Sequence, residues 1–140
     1  MVMPGLVYGR SGGLAQSFFV EPGRSAGAGA LHRGRLQPWA LVHVDDIAEL
    51  YVLALNATTG SLYAGVGGQN LPLADVDRAL SHAAGCPGRI DALTLEEAVR
   101  RMGPIAEAFA LDQQFSGARA RRELGWTPTR LDALAELAQG

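Results

Sequence analysis

The run Trp39–Val44 is the feature that most restricts the fold of this 140-residue chain. Its residues are almost all apolar, as in the strands of parallel sheets that are covered on both faces. Asp45 and Asp46 end the run, and Ile47 begins a helical pattern of apolar residues that continues to Leu55. A buried strand followed directly by an amphipathic helix predicts an α/β fold.

Shorter patterns predict the rest of the architecture. Strands are expected at Val2–Val7, where a proline interrupts an apolar run, and at Ser61–Val66. Amphipathic patterns predict the helices: one is expected to stop at Pro22, and another begins with a capping box of Thr94 and Glu97. The total is about three short strands and about six helices, which predicts a partial Rossmann-type parallel sheet.

The segment Arg24–Pro38 is rich in glycine, alanine and arginine and has no apolar period, which predicts a mobile loop over a surface. Within it, Arg33 and Arg35 are candidates for binding a substrate phosphate, because a guanidinium matches the geometry of that group. Trp39 follows the loop and is a candidate for contact with substrate, with a role as a packing anchor as the alternative.

The charge balance and the single cysteine exclude several classes of protein. Twelve basic residues against fourteen acidic ones do not provide the basic face that nucleic acids require. No apolar run reaches the length of about 18 residues that spans a bilayer, and we expect no membrane partner and a cytoplasmic location. Cys86 alone forms neither an intrachain disulfide nor a thiolate metal cluster.

Two motifs invite a functional interpretation that their context does not favour. The turn from Gly9 to Ala15 looks like a dinucleotide phosphate cradle, but no acid follows between Arg24 and Val44 to hold a ribose. The sequence His43-Val44-Asp45-Asp46 contains metal-ligand types, yet an acid at a helix start is more often a cap. We expect no metal site, and we expect Asp45 or Asp46 to cap the helix.

Four blocks, read in order, resemble the second half of the NAD(P)-dependent epimerase/dehydratase family, the extended short-chain dehydrogenases/reductases. Met3 to Gly9 is similar to the family's Arg-Pro-Gly-x-Val-Tyr-Gly strand, and Trp39 to Ala48 to its His-Val-Asp-Asp-Val-Ala block. Gly60 to Val66 corresponds to the strand that follows, and Ser116 to Pro128 is similar to Ser-x-x-Lys-Ala-x-x-x-Leu-Gly-Trp-x-Pro, with Arg119 in place of lysine.

The resemblance implies that residues 1–140 form the C-terminal, substrate-binding portion of such a protein, without the dinucleotide-binding half. Family members bind NAD or NADP through an N-terminal glycine loop and use a Tyr-x-x-x-Lys pair as acid and base. This chain contains no lysine, so no catalytic residue is assigned. The resemblance implies cofactor contacts along Pro4–Val7, at Pro4, Gly5, Leu6 and Val7, and substrate contacts at Tyr8, Arg33, Arg35 and Trp39.

Two interpretations of function follow from the resemblance. In the first, the parent is an NAD(P)-dependent epimerase, dehydratase or reductase acting on a hydroxyl or carbonyl of a small molecule, and the isolated chain neither binds NAD or NADP nor turns over. In the second, the chain is a noncatalytic substrate-binding or scaffold module that pairs with a separate Rossmann subunit. The expected partners are therefore a small-molecule substrate and the missing half, or further copies of the chain.

Overall fold

A computed structural model describes residues 1–32 and 37–140 and confirms the α/β class. Seven strands lie in these ranges: β1 Val2–Pro4, β2 Leu6–Tyr8, β3 Gly29–His32, β4 Pro38–His43, β5 Tyr63–Gly65, β6 Asn70–Pro72 and β7 Ile90–Leu93. The α-helices of the same ranges are α1 Glu21–Ala26, α2 Val44–Ala54, α3 Leu73–Ala83, α4 Leu95–Met102, α5 Ile105–Phe109, α6 Ala118–Leu124 and α7 Ala133–Gln139.

The strands form three small sheets in which parallel pairing predominates. β1 pairs with β5, β2 with β4, and β3 with β7, all in parallel, whereas β6 runs antiparallel to β4. The second part of the first predicted strand pairs in parallel with the buried run, as β2 and β4, and Leu6 lies opposite Leu41. The described strands thus form pieces of a parallel sheet, as the partial Rossmann-type prediction required.

The segment Arg24–Pro38 is not wholly a loop, contrary to the prediction. It contains the end of α1 and the strand β3, whose partner β7 begins at Ile90. The strands β3, β6 and β7 were not predicted, because three or four residues carry too little periodic signal. Their existence depends on partners that are distant in the chain.

The sequence predicted that a helix stops at Pro22, and this prediction was wrong. A π-helical turn over Gln16–Val20 continues directly into α1, and Pro22 occupies the first turn of α1. Proline is common in the first turn of an α-helix because its fixed φ suits the helical backbone. The helix ends instead at Gly27, which adopts a left-handed conformation with φ of 69°.

The strongest predicted helix, α2, forms as expected but has a different cap. His43 is the N-cap, and its Nδ1 accepts the backbone N–H of Asp45 at 3.0 Å. Neither acid caps the helix, so that expectation was wrong. The capping box of Thr94 and Glu97 at the start of α4 is confirmed in both of its hydrogen bonds.

Two main apolar clusters hold the elements together. The larger one joins α3 and α7 to the π-helical turn and to β4, around residues such as Val76, Leu80 and Leu137. The second lies under α2 and α6 and includes Leu50 and Trp126. No helix in the described part of the chain is long and apolar enough to cross a membrane.

Candidate functional site

The chain changes sheets at Gly5. β1 runs beside β5, and the Gly5 N–H donates to the Gly65 carbonyl at 2.9 Å, after which β2 runs beside β4. A Cβ atom at Gly5 would overlap the carbonyl oxygen of Ala40. Because that obstacle is backbone, the glycine is required for the two strands to pass each other.

An open cleft of about 210 Å³ lies at this change of sheets. Pro4, Gly5 and Leu6 line it at the point where the parallel pair of β1 and β5 ends. In open α/β sheets, ligands bind outside the carboxyl ends of the strands. The other lining residues come from the start of the helix that contains the π-helical turn, from β4, from α5 and from the segment after α5. They are Leu14, Trp39, Ala40, Ile105, Ala108, Phe109, Gln113 and Phe115.

Packed aromatic rings fix the Trp39 wall of the cleft. The Trp39 indole N–H donates to the Phe109 carbonyl at 3.0 Å, and the two ring centroids lie 5.3 Å apart. Phe19 packs against both rings, at 5.7 and 5.2 Å. With its N–H bonded and its ring packed, Trp39 presents a wall whose orientation is set before any ligand arrives.

Two amides support the other side of the cleft. Asn70 holds the backbone of Phe115 through two hydrogen bonds of 3.1 Å, one to its carbonyl and one from its N–H. The Nε2 of Gln113 donates to the Ala108 carbonyl at 2.6 Å. Its Oε1 accepts no hydrogen bond from another described residue. Gln113 is therefore the cleft-lining side chain with an acceptor still available for a ligand.

The structure brings four of the predicted site residues together and separates two others from them. Pro4, Gly5, Leu6 and Trp39 line the cleft. Val7 instead packs against the apolar cluster under α2 and does not line the cleft. The predicted substrate contacts Arg33 and Arg35 lie outside the described residues.

Tyr8 is placed in the core and not in the cleft. Its side chain is 3% exposed, and its hydroxyl donates to the Arg130 carbonyl at 2.8 Å. Burial, followed by the negative charge of Glu136, raises the pKa of Tyr8 to about 12. The hydroxyl is therefore protonated at neutral pH and bonded within the protein, which does not suit a substrate contact or a base.

Phe109, Gln113 and Phe115 were not anticipated as site residues. They lie more than 60 residues after Trp39 in the sequence and reach the cleft only through tertiary packing. A scan for motifs finds no signal in them. The available hint was the apolar character of Phe115 directly after the polar residues 112–114.

A polar cluster surrounds His43 at the opposite end of β4. His43 is 1% exposed, and its Nε2 lies 2.7 Å from Oε1 of Glu136. Since Nδ1 accepts the Asp45 N–H, the neutral ring carries its proton on Nε2 and donates it to the carboxylate. The ring of Tyr8 packs edge-on against the imidazole at 5.3 Å. His43 thus has both nitrogens occupied by structural bonds.

Asp46 links α2 to the segment before α7. It is 3% exposed, and its carboxylate accepts the backbone N–H groups of Thr129 at 3.0 Å and Arg130 at 2.9 Å. Its own carbonyl accepts the indole N–H of Trp126 at 2.9 Å. Asp46 therefore does not cap the helix, contrary to the expectation from the sequence, but holds two distant segments together.

The glycine-rich turn that begins at Gly9 serves the same polar cluster. A Cβ at Gly9 would overlap the His43 ring, so the turn packs directly on the imidazole. Arg10 donates to Asp45 at 2.8 Å, and this hydrogen bond lowers the pKa of the Asp45 carboxyl. In residues 1–32 and 37–140, no group of three or more histidine, cysteine or acidic side chains is placed to hold a metal.

Comparison with known proteins assigns the fold. No family model matches the sequence. A crystal structure of a human epimerase family protein with NADPH superposes with a TM-score of 0.72 at 20% identity, over 99% of this chain and 46% of that one. The Thermus thermophilus UDP-glucose 4-epimerase, solved with NAD, gives 0.66 at 22% identity, over 99% and 43%. The fold is that of the NAD(P)-dependent epimerases and dehydratases.

The shared part of the epimerase/dehydratase fold is less than half of each neighbour. A curated relative, an uncharacterized protein of Schizosaccharomyces pombe, is 26% identical over 137 residues, which is 97% of this chain and 46% of that protein. The chain therefore spans about half the length of the curated relatives it matches. The predicted likeness to one portion of this fold is confirmed.

Proposed function

We propose that this chain is the substrate-binding portion of an NAD(P)-dependent epimerase, dehydratase or reductase acting on a hydroxyl or carbonyl group. The observation that carries the proposal is the cleft at Gly5, which opens where β1 and β5 end together. In the proposed complex, Pro4, Gly5 and Leu6 border the nicotinamide ring, and Trp39 faces the substrate. The nicotinamide supplies the hydride chemistry when it is bound.

The described residues fit the nicotinamide end of the cofactor and not its phosphates. Pro4, Gly5 and Leu6 offer a flat ring a wall that carries no charged side chain, and Trp39 and Phe109 remain for the substrate. No arginine within residues 1–32 and 37–140 lines the cleft, so a pyrophosphate finds no counter-charge among them. We therefore propose that a dinucleotide-binding half, with its own acid/base tyrosine and lysine, completes the site.

This chain's contribution to the reaction would be orientation and desolvation. The hydrogen bond from Trp39 to the Phe109 carbonyl prevents the indole from rotating out of the wall. The two bonds of Asn70 hold Phe115 in place across the cleft. A preformed apolar wall of this kind positions a reacting carbon against the ring without reorganisation.

The two tryptophans allow a direct test in the 140-residue chain. Trp39 lines the cleft, whereas Trp126 is buried with its N–H bonded to Asp46. Nicotinamide mononucleotide at millimolar concentration should shift the indole N–H resonance of Trp39 in a nitrogen-edited NMR spectrum and leave that of Trp126 unchanged. Adenosine diphosphate should shift neither resonance, because the adenine half has no site here.

A pair of alanine substitutions controls the experiment. Ala108 lines the cleft and Ala48 lies on α2 away from it, and both are exposed helical residues. Ala108→Phe should abolish the response of Trp39 to the mononucleotide, and Ala48→Phe should preserve it. An unshifted Trp39 in the unmodified chain would contradict the proposal, as would NAD binding with micromolar affinity by this chain alone.

The reading frame upstream of Met1 provides a second test. A glycine loop and a Tyr-x-x-x-Lys pair encoded in frame would support a single enzyme of which this is one part. Their absence from that frame would instead favour the noncatalytic module that pairs with a separate Rossmann subunit.

A further inference from the structure

We infer that the substrate bound at this cleft is a compact, mainly apolar alcohol or ketone that carries no diphosphate group. The inference rests on the proposed function, since it names the substrate class for the same cleft. It separates this chain from a fold neighbour whose name specifies a nucleotide sugar, the UDP-glucose 4-epimerase. Three features of the cleft carry it: the chemistry of its walls, its size and its polar group.

The walls are apolar on all the elements that build them. Leu6 and Trp39 come from the neighbouring strands β2 and β4, and Leu14 comes from the start of the helix that contains the π-helical turn. Ile105 and Phe109 come from α5. A sugar ring, with a hydroxyl on almost every carbon, would lose its hydrogen bonds to water against such walls, whereas an apolar ring would gain by burial.

Counter-charge for a diphosphate is missing from the described cleft. Proteins hold phosphates with arginine, lysine or clusters of backbone N–H groups. The sequence has no lysine, and the arginines of the described ranges make other contacts or lie elsewhere. Arg10 bonds Asp45, Arg119 bonds Glu123, and Arg121 donates to the Gly67 carbonyl.

The cleft volume suits one ring with a short substituent. Its 210 Å³ corresponds to about seven water volumes, at about 30 Å³ for each water in the liquid. The volume is an upper limit for the substrate, because the nicotinamide ring would border the same cleft. A benzyl or cyclohexyl group with one oxygen has about this number of heavy atoms, whereas a nucleotide sugar has several times more.

Gln113 gives the cleft its polar specificity. Because Nε2 is bonded to the Ala108 carbonyl, the orientation of the amide is set and Oε1 remains as an acceptor. An acceptor suits the hydroxyl of an alcohol, and the second hydrogen on Nε2 suits a carbonyl oxygen. The side chain can therefore recognise both members of an alcohol and ketone pair.

The experiment compares two probes on the 140-residue chain, again through the indole resonances of Trp39 and Trp126. Benzyl alcohol represents the proposed class, and UDP represents the nucleotide sugars. We expect benzyl alcohol to shift Trp39 with a midpoint at least about tenfold lower than that of UDP. Ala108→Phe should remove the response and Ala48→Phe should retain it, with Trp126 reporting that each variant is folded.

A further variant replaces the two arginines that lie outside the described residues, Arg33 and Arg35. If UDP shifts Trp39 at the lower midpoint, the inference is wrong, and loss of that response in Arg33→Ala/Arg35→Ala would assign the phosphate contacts to this pair. If benzyl alcohol shifts only Trp126, or neither indole, the inference is also wrong. A response to benzyl alcohol without one to nicotinamide mononucleotide would overturn the proposed function and leave the ligand class supported.

Discussion

The cleft at Gly5 and the polar cluster around His43 occupy opposite ends of strand β4 and differ in how their polar atoms are used. At the His43 end, the imidazole and the buried carboxylate of Asp46 are bonded to distant segments of the same chain. At the Trp39 end, the walls are apolar and one amide keeps an acceptor for a ligand. The bonds at the polar end indicate a role in stability, and the proposed function gives binding to the apolar end.

Replacing Asp46 should cause the largest loss in the free energy of unfolding. A small loss would contradict the structural role given to the polar end. Asp46→Ala leaves the N–H groups of Thr129 and Arg130 without their acceptor inside the protein. We expect a loss of about 4 kcal/mol in the free energy of unfolding, since hydrogen bonds to a buried charge are each worth about 1.5–3 kcal/mol. Urea denaturation measures this loss.

Asp132→Ala is the matched control, because Asp132 is an exposed N-cap that accepts the Ala135 N–H. Its loss should cost about 1 kcal/mol. Equal losses for the two aspartates would show that Asp46 acts as an ordinary cap, as the sequence alone suggested.

A side chain at Gly5 should cause the next largest loss of stability. Its main effect should be on folding and not on ligand binding. Gly5→Ala forces its Cβ into the Ala40 carbonyl, so β2 and β4 must separate. We expect a loss of about 3 kcal/mol, at the upper end of what overpacking costs. Gly12→Ala is the control: its Cβ would meet nothing nearer than the Arg10 carbonyl oxygen at 3.8 Å, and a change of about 0.5 kcal/mol or less is expected. If Gly5→Ala melts at the same temperature as the unmodified chain, the strands do not require this glycine, and its role would be limited to letting a ligand approach.

Alkaline pH should weaken the polar end through Tyr8. Its pKa is about 12 in the folded protein against an ordinary value of 10.0, so between these values the unfolded chain has lost a proton that the folded chain retains. The free energy of unfolding should therefore fall as the pH rises from about 10 to 12, by up to roughly 3 kcal/mol.

Tyr8→Phe checks this assignment. The variant should lose about 1 kcal/mol at neutral pH, with the hydrogen bond to the Arg130 carbonyl, and should show a smaller alkaline loss than the unmodified chain. Parallel pH profiles for the two proteins, measured by urea denaturation, would contradict the role given to Tyr8.

The smallest expected effect is on ligand affinity at the cleft, and it tests whether Gln113 contributes a hydrogen bond there. Gln113→Leu removes the polar group and keeps the size of the side chain. Benzyl alcohol should bind about fivefold more weakly, which corresponds to one hydrogen bond of about 1 kcal/mol. Toluene, which offers no hydroxyl, should bind both proteins equally in the Trp39 titration, and a fivefold loss for toluene as well would show that packing is disturbed.

Local signals in the sequence were sufficient for some elements and not for others. The strand around Trp39, helix α2 and the Thr94 capping box were predictable because each pattern is complete within a dozen residues. The role of Asp46 was not, because its partners Thr129 and Arg130 are more than 80 residues away. A buried carboxylate can cap a helix, pair with a cation or bond a distant segment of backbone. The tertiary structure determines which of these roles it has.

The candidate site was predictable to a similar extent. The resemblance to the epimerase/dehydratase family implied a binding role for Pro4, Gly5 and Leu6, and the cleft lies at these residues. The opposite wall could not be predicted, since Phe109 and Phe115 carry no motif and approach Trp39 only in the folded chain.

The division of one extended segment into β1 and β2 has a consequence for how the chain folds. β2 must find β4 across about 35 residues, and β1 must find β5 across about 60, and longer loops cost more entropy to close. Once β2 and β4 have joined, most of the longer loop is already closed, so the search of β1 for β5 becomes short. We expect ordered assembly, in which the Gly5 junction forms first and β5 then docks beside it.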